Sequence, residues 1–245
     1  MTLERFAGQT AAAWIYASRQ DAREVVVKVL RPELETPERR RTWAGVASRP
    51  TVPGTPPARG GGAVQGEPAY LVYESATGEG LDRTLSRSLA DDEREALLFD
   101  LMSVLAAAHR AGEVHLDLRP SKVRRGDQGL FLLDLGHLAS LGPDAPLRDL
   151  LDPRYTAPEQ AAGSVGDVLT DVYQLGLLAY KVLFGRLPFS APRAEEFWNL
   201  HLEGDPDLSA AEGLTRTVLA QALARDPTER FADAEAFQRA LFGDA

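Results

Sequence analysis

Hydrophobic positions change their spacing once along this chain. Up to residue 75 they come in short runs that suit half-buried strands. Ala13-Trp14-Ile15-Tyr16-Ala17 is apolar and aromatic, Arg19-Gln20-Asp21 is polar, and Glu24-Val25-Val26-Val27-Lys28-Val29-Leu30 is rich in β-branched residues. The pattern predicts two strands joined by a turn, with Pro32 ending the second. Thr36-Pro37-Glu38 reads as a helix start, Thr as the N-cap and Pro at the first helical position. That helix must be short, because Pro50, Pro53, Pro56 and Pro57 follow. Residues 49–62, ending in Gly60-Gly61-Gly62, predict a mobile loop. Ala69-Tyr70-Leu71-Val72-Tyr73 predicts one more strand.

From Asp91 the period becomes helical. Leu97, Leu98, Leu101, Val104, Leu105 and Ala108 recur along one face, with Asp91-Asp92-Glu93 at the positive end of the helix dipole and Gly112 closing it. Leu130-Phe131-Leu132-Leu133 predicts a short buried strand. Asp171 to Phe184 is apolar all round and predicts a core helix, and residues 214–224 and 232–242 predict amphipathic ones. The expected architecture is α+β and bilobal: a small antiparallel β lobe at 1–75, a connection at 76–78, and a larger helical lobe at 79–243. No internal repeat is visible.

Composition narrows the function classes. An apolar fraction of 44% over 245 residues supports a packed interior. A net charge of −9 argues against a nucleic-acid partner, whose binding would rest on neutralising phosphates. Absence of cysteine excludes disulfides and thiolate chemistry. His109, His115, His137 and His201 show no metal-ligand spacing. No apolar run approaches the roughly 18–20 residues of a membrane span, and Met1-Thr2-Leu3-Glu4-Arg5 lacks an apolar leader. The expected location is cytoplasmic, the chain standing alone or as the cytoplasmic domain of a longer protein.

Candidate chemistry centres on Val114-His115-Leu116-Asp117-Leu118-Arg119-Pro120-Ser121-Lys122. Seventeen residues after Asp117 comes Asp134-Leu135-Gly136, followed by Ala157-Pro158-Glu159 and Asp171-Val172-Tyr173-Gln174-Leu175-Gly176, with Lys28 upstream in its valine run. Alone, each is weak. A lysine among valines suits a solubilised edge strand, and Asp-Leu-Gly suits a turn. Five motifs in this order resemble the protein-kinase fold, in particular bacterial serine/threonine kinases of the eukaryotic type, over nearly the whole chain.

The resemblance implies roles. Lys28 would grip the α- and β-phosphates of ATP, Asp117 would accept the hydroxyl proton, Arg119 would fill the loop position usually held by Lys, and Asp134 would hold Mg²⁺. Glu74 to Ala76 would form the hinge beside the base, and Tyr73 would stand at the gatekeeper position. His115 would brace the Asp-Leu-Gly turn, Asp171 would hold the catalytic loop through backbone amides, and Glu159 would pair with Arg230.

Departures gather around the nucleotide. The glycine-rich loop would fall at Gly8, Thr10 and Ala13, so only its first glycine is present. Lys122 stands where Asn would be the second Mg²⁺ ligand, and an ammonium cannot coordinate a metal. Arg124 falls beneath the base and Val26 above it, so the purine slot is expected to be crowded. The glutamate that should pair with Lys28 is not identifiable among Glu33, Glu35 and Glu38. Leu116 replaces the arginine of kinases switched by loop phosphorylation, and Ser140 is the only hydroxyl residue between Leu135 and Arg154.

Three readings follow. One is a pseudokinase, a signalling or scaffold module acting through a protein partner, with ATP binding and phosphotransfer impaired or absent and no cofactor bound. The second is an active serine/threonine kinase using ATP and Mg²⁺. The third is a small-molecule phosphotransferase of the aminoglycoside-kinase type, against which the Ala157-Pro158-Glu159 and Asp171-to-Gly176 motifs argue.

Overall fold

Strands β1 (Arg5–Gln9), β2 (Ala13–Gln20) and β3 (Arg23–Leu30) follow one another as antiparallel neighbours in a computed structural model that describes residues 3–127 and 129–243. Met1 and Thr2 of the expected leaderless start lie outside the described residues. Helix α1 (Pro37–Gly45) begins as its sequence predicts: Thr36 Oγ1 accepts the Arg39 N–H at 3.1 Å, and Pro37 opens the first turn. Strands β4 (Ala58–Gly62) and β5 (Tyr70–Glu74) complete a five-stranded antiparallel sheet in the order β1-β2-β3-β5-β4.

The expected loop is present over 49–57, which has no strand or helix, and only the end of the 49–62 stretch departs from it. Its last five residues are strand β4, which carries glycine where close approach requires it. A Cβ on Gly61 would stand 2.9 Å from the Ala44 carbonyl oxygen of α1. Earlier in the segment Val52 is buried, and the Gly54 carbonyl accepts the Leu132 N–H at 2.7 Å. Gly54 has φ +79°, and a Cβ there would overlap Val104.

The second part starts with β6 (Glu79–Gly80) and the single turn α2 (Leu81–Thr84), then the long helix α3 (Asp91–Arg110). Strand β7 (Val123–Gly126) pairs with β6 on one side and β8 (Gly129–Leu132) on the other, a small second sheet. Short helices α4 (Leu147–Leu150) and α5 (Pro158–Ala161) precede α6 (Val168–Phe184), which Asp167 caps and Gly185 ends in the left-handed conformation. Helices α7 (Glu196–Glu203), α8 (Gly213–Ala222) and α9 (Ala234–Phe242) finish the chain. The fold is α+β and bilobal, with an antiparallel sheet in one lobe and helices in the other.

Two apolar clusters matter for the site. One fills the helical lobe around Leu97, Leu101, Leu105, Val172 and Leu178, and α6 is buried almost all round as its composition predicts. The other crosses between the lobes. It joins Ala13, Leu30, Trp43 and Leu71 to Leu116, Leu138, Leu141, Leu147 and Leu150, so the segment after Asp134 is fused to the small lobe. Polar contacts reinforce that seam. Arg39 donates to the carbonyls of Leu141 (Nε, 2.9 Å) and Asp144 (Nη2, 2.7 Å), and Thr42 Oγ1 donates to that of Ser140 at 2.5 Å.

Candidate functional site

The loop carrying Asp117 is held from below. Leu116 has φ +65°, an unfavourable conformation for a branched side chain, and persists because its surroundings fix it. Asp171, buried at the start of α6, accepts the backbone N–H groups of His115 (2.7 Å) and Leu116 (2.6 Å). Gln174, one turn later, accepts the Leu118 N–H at 2.9 Å, and Gln160 donates to the Leu116 carbonyl at 2.8 Å. His115 Nδ1 accepts the Asp117 N–H at 3.1 Å while Nε2 donates to the Leu133 carbonyl at 2.8 Å. That pair of bonds requires a neutral imidazole, and burial pushes its pKa down in the same sense. Glu159 and Arg230 form a two-pronged ion pair at 2.9 Å. The expected bracing contacts of His115, Asp171 and Glu159 are all present.

At the inner end of the cleft five charged groups meet. Lys28, opposite Ile15 and Leu71 on the central strand, is buried and ion-paired with Asp134. Lys122 Nζ lies 2.5 Å from the other oxygen of Asp134 and 3.3 Å from Asp117. Arg119 Nε donates to the second oxygen of Asp117 at 3.0 Å. Burial pushes Lys28 well below the usual lysine range, and the charges of Lys122 and Arg124 push the same way. Lys122 is lowered by burial too, with Asp117 opposing. Asp134 is at φ +67°, a left-handed conformation that Asp tolerates better than most residues.

This donor set does not fit a divalent metal. Mg²⁺ requires oxygen ligands in an octahedral array. Both carboxylates here already face cations, and Lys122 brings a positive charge to the position expected of a ligand. Among the described residues no three His, Cys, Asp or Glu side chains are placed to hold a metal.

The glycine-loop positions are also unlike a phosphate cradle. Gly8 follows the bulge at Ala7, pairs with Ile15 of β2 and lines neither the larger nor the smaller cavity of the cleft, contrary to its expected place beside the nucleotide. At the hairpin tip the Thr10 N–H donates to the Ala13 carbonyl at 2.8 Å, and the Ala13 N–H donates to Thr10 Oγ1 at 3.0 Å. Two amides are therefore occupied within the turn itself. Ala11 and Ala12 pack down on the cluster that holds Leu138, Leu141 and Leu150.

The base end differs from expectation in the other direction. Arg124 does not point into the slot. It is exposed on β7 and donates to the Gly78 carbonyl at 2.9 Å, so its guanidinium is satisfied outside. A cavity of about 380 Å³ remains, walled by Ile15, Ala17 and Val26 on one side and Leu132 and Leu133 on the other. Tyr73, Glu74, Ser75 and Ala76 form its edge. Glu74 is ion-paired with Arg59 and Arg23, leaving backbone as the hinge's offering. Beyond Lys28 the space shrinks to about 30 Å³ between the hairpin tip, Asp117, Arg119 and Lys122.

None of Glu33, Glu35 and Glu38 pairs with Lys28. Glu33 is bound to Arg31, Glu35 to Arg40 and the Ala69 N–H, and Glu38 lies in the first turn of α1. The face of α1 toward the site presents Trp43 instead, fully buried with its ring 4.8 Å from that of His137. His137 Nε2 meets the Tyr73 hydroxyl at 2.8 Å. Burial, then Lys28 and Lys122, drives the His137 imidazole well below its ordinary pKa. Sequence reasoning missed Trp43 and His137. Their signals were a lone Trp in an otherwise charged helix and a His directly after Asp-Leu-Gly. Arg49 and Glu113, 2.5 Å apart at the back of the larger cavity, left no comparable sequence pattern.

Known proteins resemble this chain in sequence. The chain is 29% identical to the serine/threonine-protein kinase pkn3 of Myxococcus xanthus, over 98% of this chain and 49% of that protein. It is 31% identical to the serine/threonine-protein kinase drp72 of Corynebacterium efficiens over 96% of the chain and 48% of the relative. It is also 31% identical to the serine/threonine-protein kinase PknA of Mycobacterium tuberculosis, over 81% and 49%. It thus spans about half the length of these three curated relatives. The protein kinase domain model matches residues 63–242, a stretch that begins after β4 and leaves the hairpin and Lys28 outside it. With that match covering most of the chain, and the catalytic-loop scaffold in place, the chain belongs to the protein kinase domain family.

Proposed function

We propose that this chain is a pseudokinase: a kinase-fold signalling or scaffold module in which phosphoryl transfer is impaired. One observation carries the reading. Lys122 places an ammonium between Asp134 and Asp117, in a space of about 30 Å³ closed by the hairpin tip. Phosphoryl transfer needs the triphosphate held in line and its developing charge neutralised, normally by metal on oxygen ligands. Neither the room nor the ligands fit. The impairment sits at the phosphate end, and Arg124 is not its cause.

Function then rests on surfaces, with a protein partner as the recognised species, and the net charge of −9 disfavours nucleic acid. We place the activity in the cytoplasm. Among the described residues no helix is long and apolar enough to cross a membrane.

The alternative, an active serine/threonine kinase using ATP and Mg²⁺, draws support from the convergence of Lys28, Asp117 and Asp134 and from the braced loop at Leu116. Incubation with γ-labelled ATP and Mg²⁺, in wild type and Asp117→Asn, separates the two. The pseudokinase reading expects no label that depends on Asp117. Incorporation abolished by Asp117→Asn would establish the active kinase.

A further inference from the structure

Between helix α1 and strand β4 the chain forms a strap, residues 46–57, that the helical lobe holds. The Gly54 carbonyl accepts the Leu132 N–H at 2.7 Å, and a Cβ on Gly54 would overlap Val104 of α3. Val46 and Val52 are buried on either side of Arg49. The Arg49 N–H donates to the Val46 carbonyl at 3.2 Å, so Arg49 moves with the turn that ends α1.

The Arg49 side chain crosses to the helical lobe. Its Nη1 lies 2.5 Å from Glu113 Oε2, and the Glu113 N–H donates to the Ala108 carbonyl at the end of α3 at 2.9 Å. The guanidinium also covers the α-carbon of Gly136. A Cβ there would overlap Arg49 Nη1 and stand 3.2 Å from Glu113 Oε2. Gly136 is buried at φ +74°. Its N–H donates to the Val114 carbonyl and its carbonyl accepts the Ser140 N–H, each at 3.1 Å. Residues 137–141 leave the seam only if the backbone upstream of them rotates, and a glycine offers the least steric resistance to that rotation. Arg49, lying over Gly136, supplies the resistance that the missing side chain does not.

We infer that Arg49 is a clasp on the turn at 134–136. Paired with Glu113, it blocks rotation at Gly136 and keeps Asp134 and the residues after it against the small lobe. Because Arg49 is carried by the end of α1, a shift of α1 lifts the guanidinium and frees the turn. The position of α1 is thus passed to Asp134 by packing, in a chain where neither Glu35 nor Glu38 of this region pairs with Lys28. Arg49 is a positioning residue, and its role is the same whether or not the chain transfers phosphate.

Hydrogen exchange of the purified chain, read by mass spectrometry, tests the clasp. Arg49→Met keeps an unbranched stem and removes the charge. It should speed exchange of the amides of residues 136–141 by at least about tenfold more than those of α6. Arg49→Lys returns a cation within reach of Glu113 and should restore most of the protection. A second measurement reads the contact itself. Gly136→Ala is strained by its positive φ in any background, so only its overlap with Arg49 differs between backgrounds. In urea unfolding, Gly136→Ala should lower the folding equilibrium constant at least about tenfold less in Arg49→Ala than in wild type. Exchange at 136–141 that is unchanged in Arg49→Met, or that rises only in step with α6, would overturn the inference. So would an equal cost of Gly136→Ala in both backgrounds.

Discussion

The base end and the phosphate end of the cleft are built on different terms. At the base end, apolar walls enclose about 380 Å³ and the one intrusive side chain, Arg124, is turned out onto the Gly78 carbonyl. The lobes meet there through the Arg49–Glu113 ion pair and the Leu132 N–H on the Gly54 carbonyl. At the phosphate end, five charged groups and the Trp43–Leu138–Leu141 cluster tie sheet, helix α1 and the post-Asp134 segment together around some 30 Å³. Residues that would handle phosphate in a working kinase serve here as internal cross-links. On the pseudokinase reading, the cleft keeps its shape at one end while its chemistry is lost at the other.

Substitutions should reveal that asymmetry as stability. Trp43→Ala empties a fully buried site at the seam and should cost about 3–5 kcal/mol in urea unfolding. A loss below about 1 kcal/mol would mean the seam collapses freely and the contrast between the ends is overstated. Asp134→Asn leaves the buried Lys28 ammonium without its carboxylate and Lys122 with Asp117 alone, and should cost about 3 kcal/mol. If instead stability rises, the lysines are held neutral and the electrostatic account of the phosphate end fails. Arg39→Ala removes two bonds to the carbonyls of Leu141 and Asp144, for a loss of about 1–2 kcal/mol. At the base end, Arg124→Leu should change stability by no more than about 0.5 kcal/mol, because its one bond is exposed. A large effect there would erase the distinction.

Much of this was legible in the chain. The change from short β-branched runs to helical spacing separates the lobes. Thr36-Pro37 marks the start of α1, and motif order from Lys28 to Arg230 points to the family. What escaped was direction and distance. Strand β4 is built of glycines, so no β-branched signal marks it; its place is set by contact with Ala44 and Leu71. Arg124 is correctly positioned beneath the slot, yet its side chain leaves because a carbonyl 46 residues away offers a solvent-side partner. Lys122 was readable as a cation in a metal ligand's position. That it would join two carboxylates, and that Trp43 would occupy the face of α1 where a glutamate was sought, depends on lobes meeting in three dimensions.

Arg39 and Thr42 grip the backbone oxygens of residues 140, 141 and 144 from the far side of the seam. Those acceptors are main chain, so drift in the side chains of that segment leaves the latch intact. To swing apart, the lobes must release all three bonds and wet the leucines behind them in the same step. Separating the lobes along this seam is thereby tied to exposing its leucines.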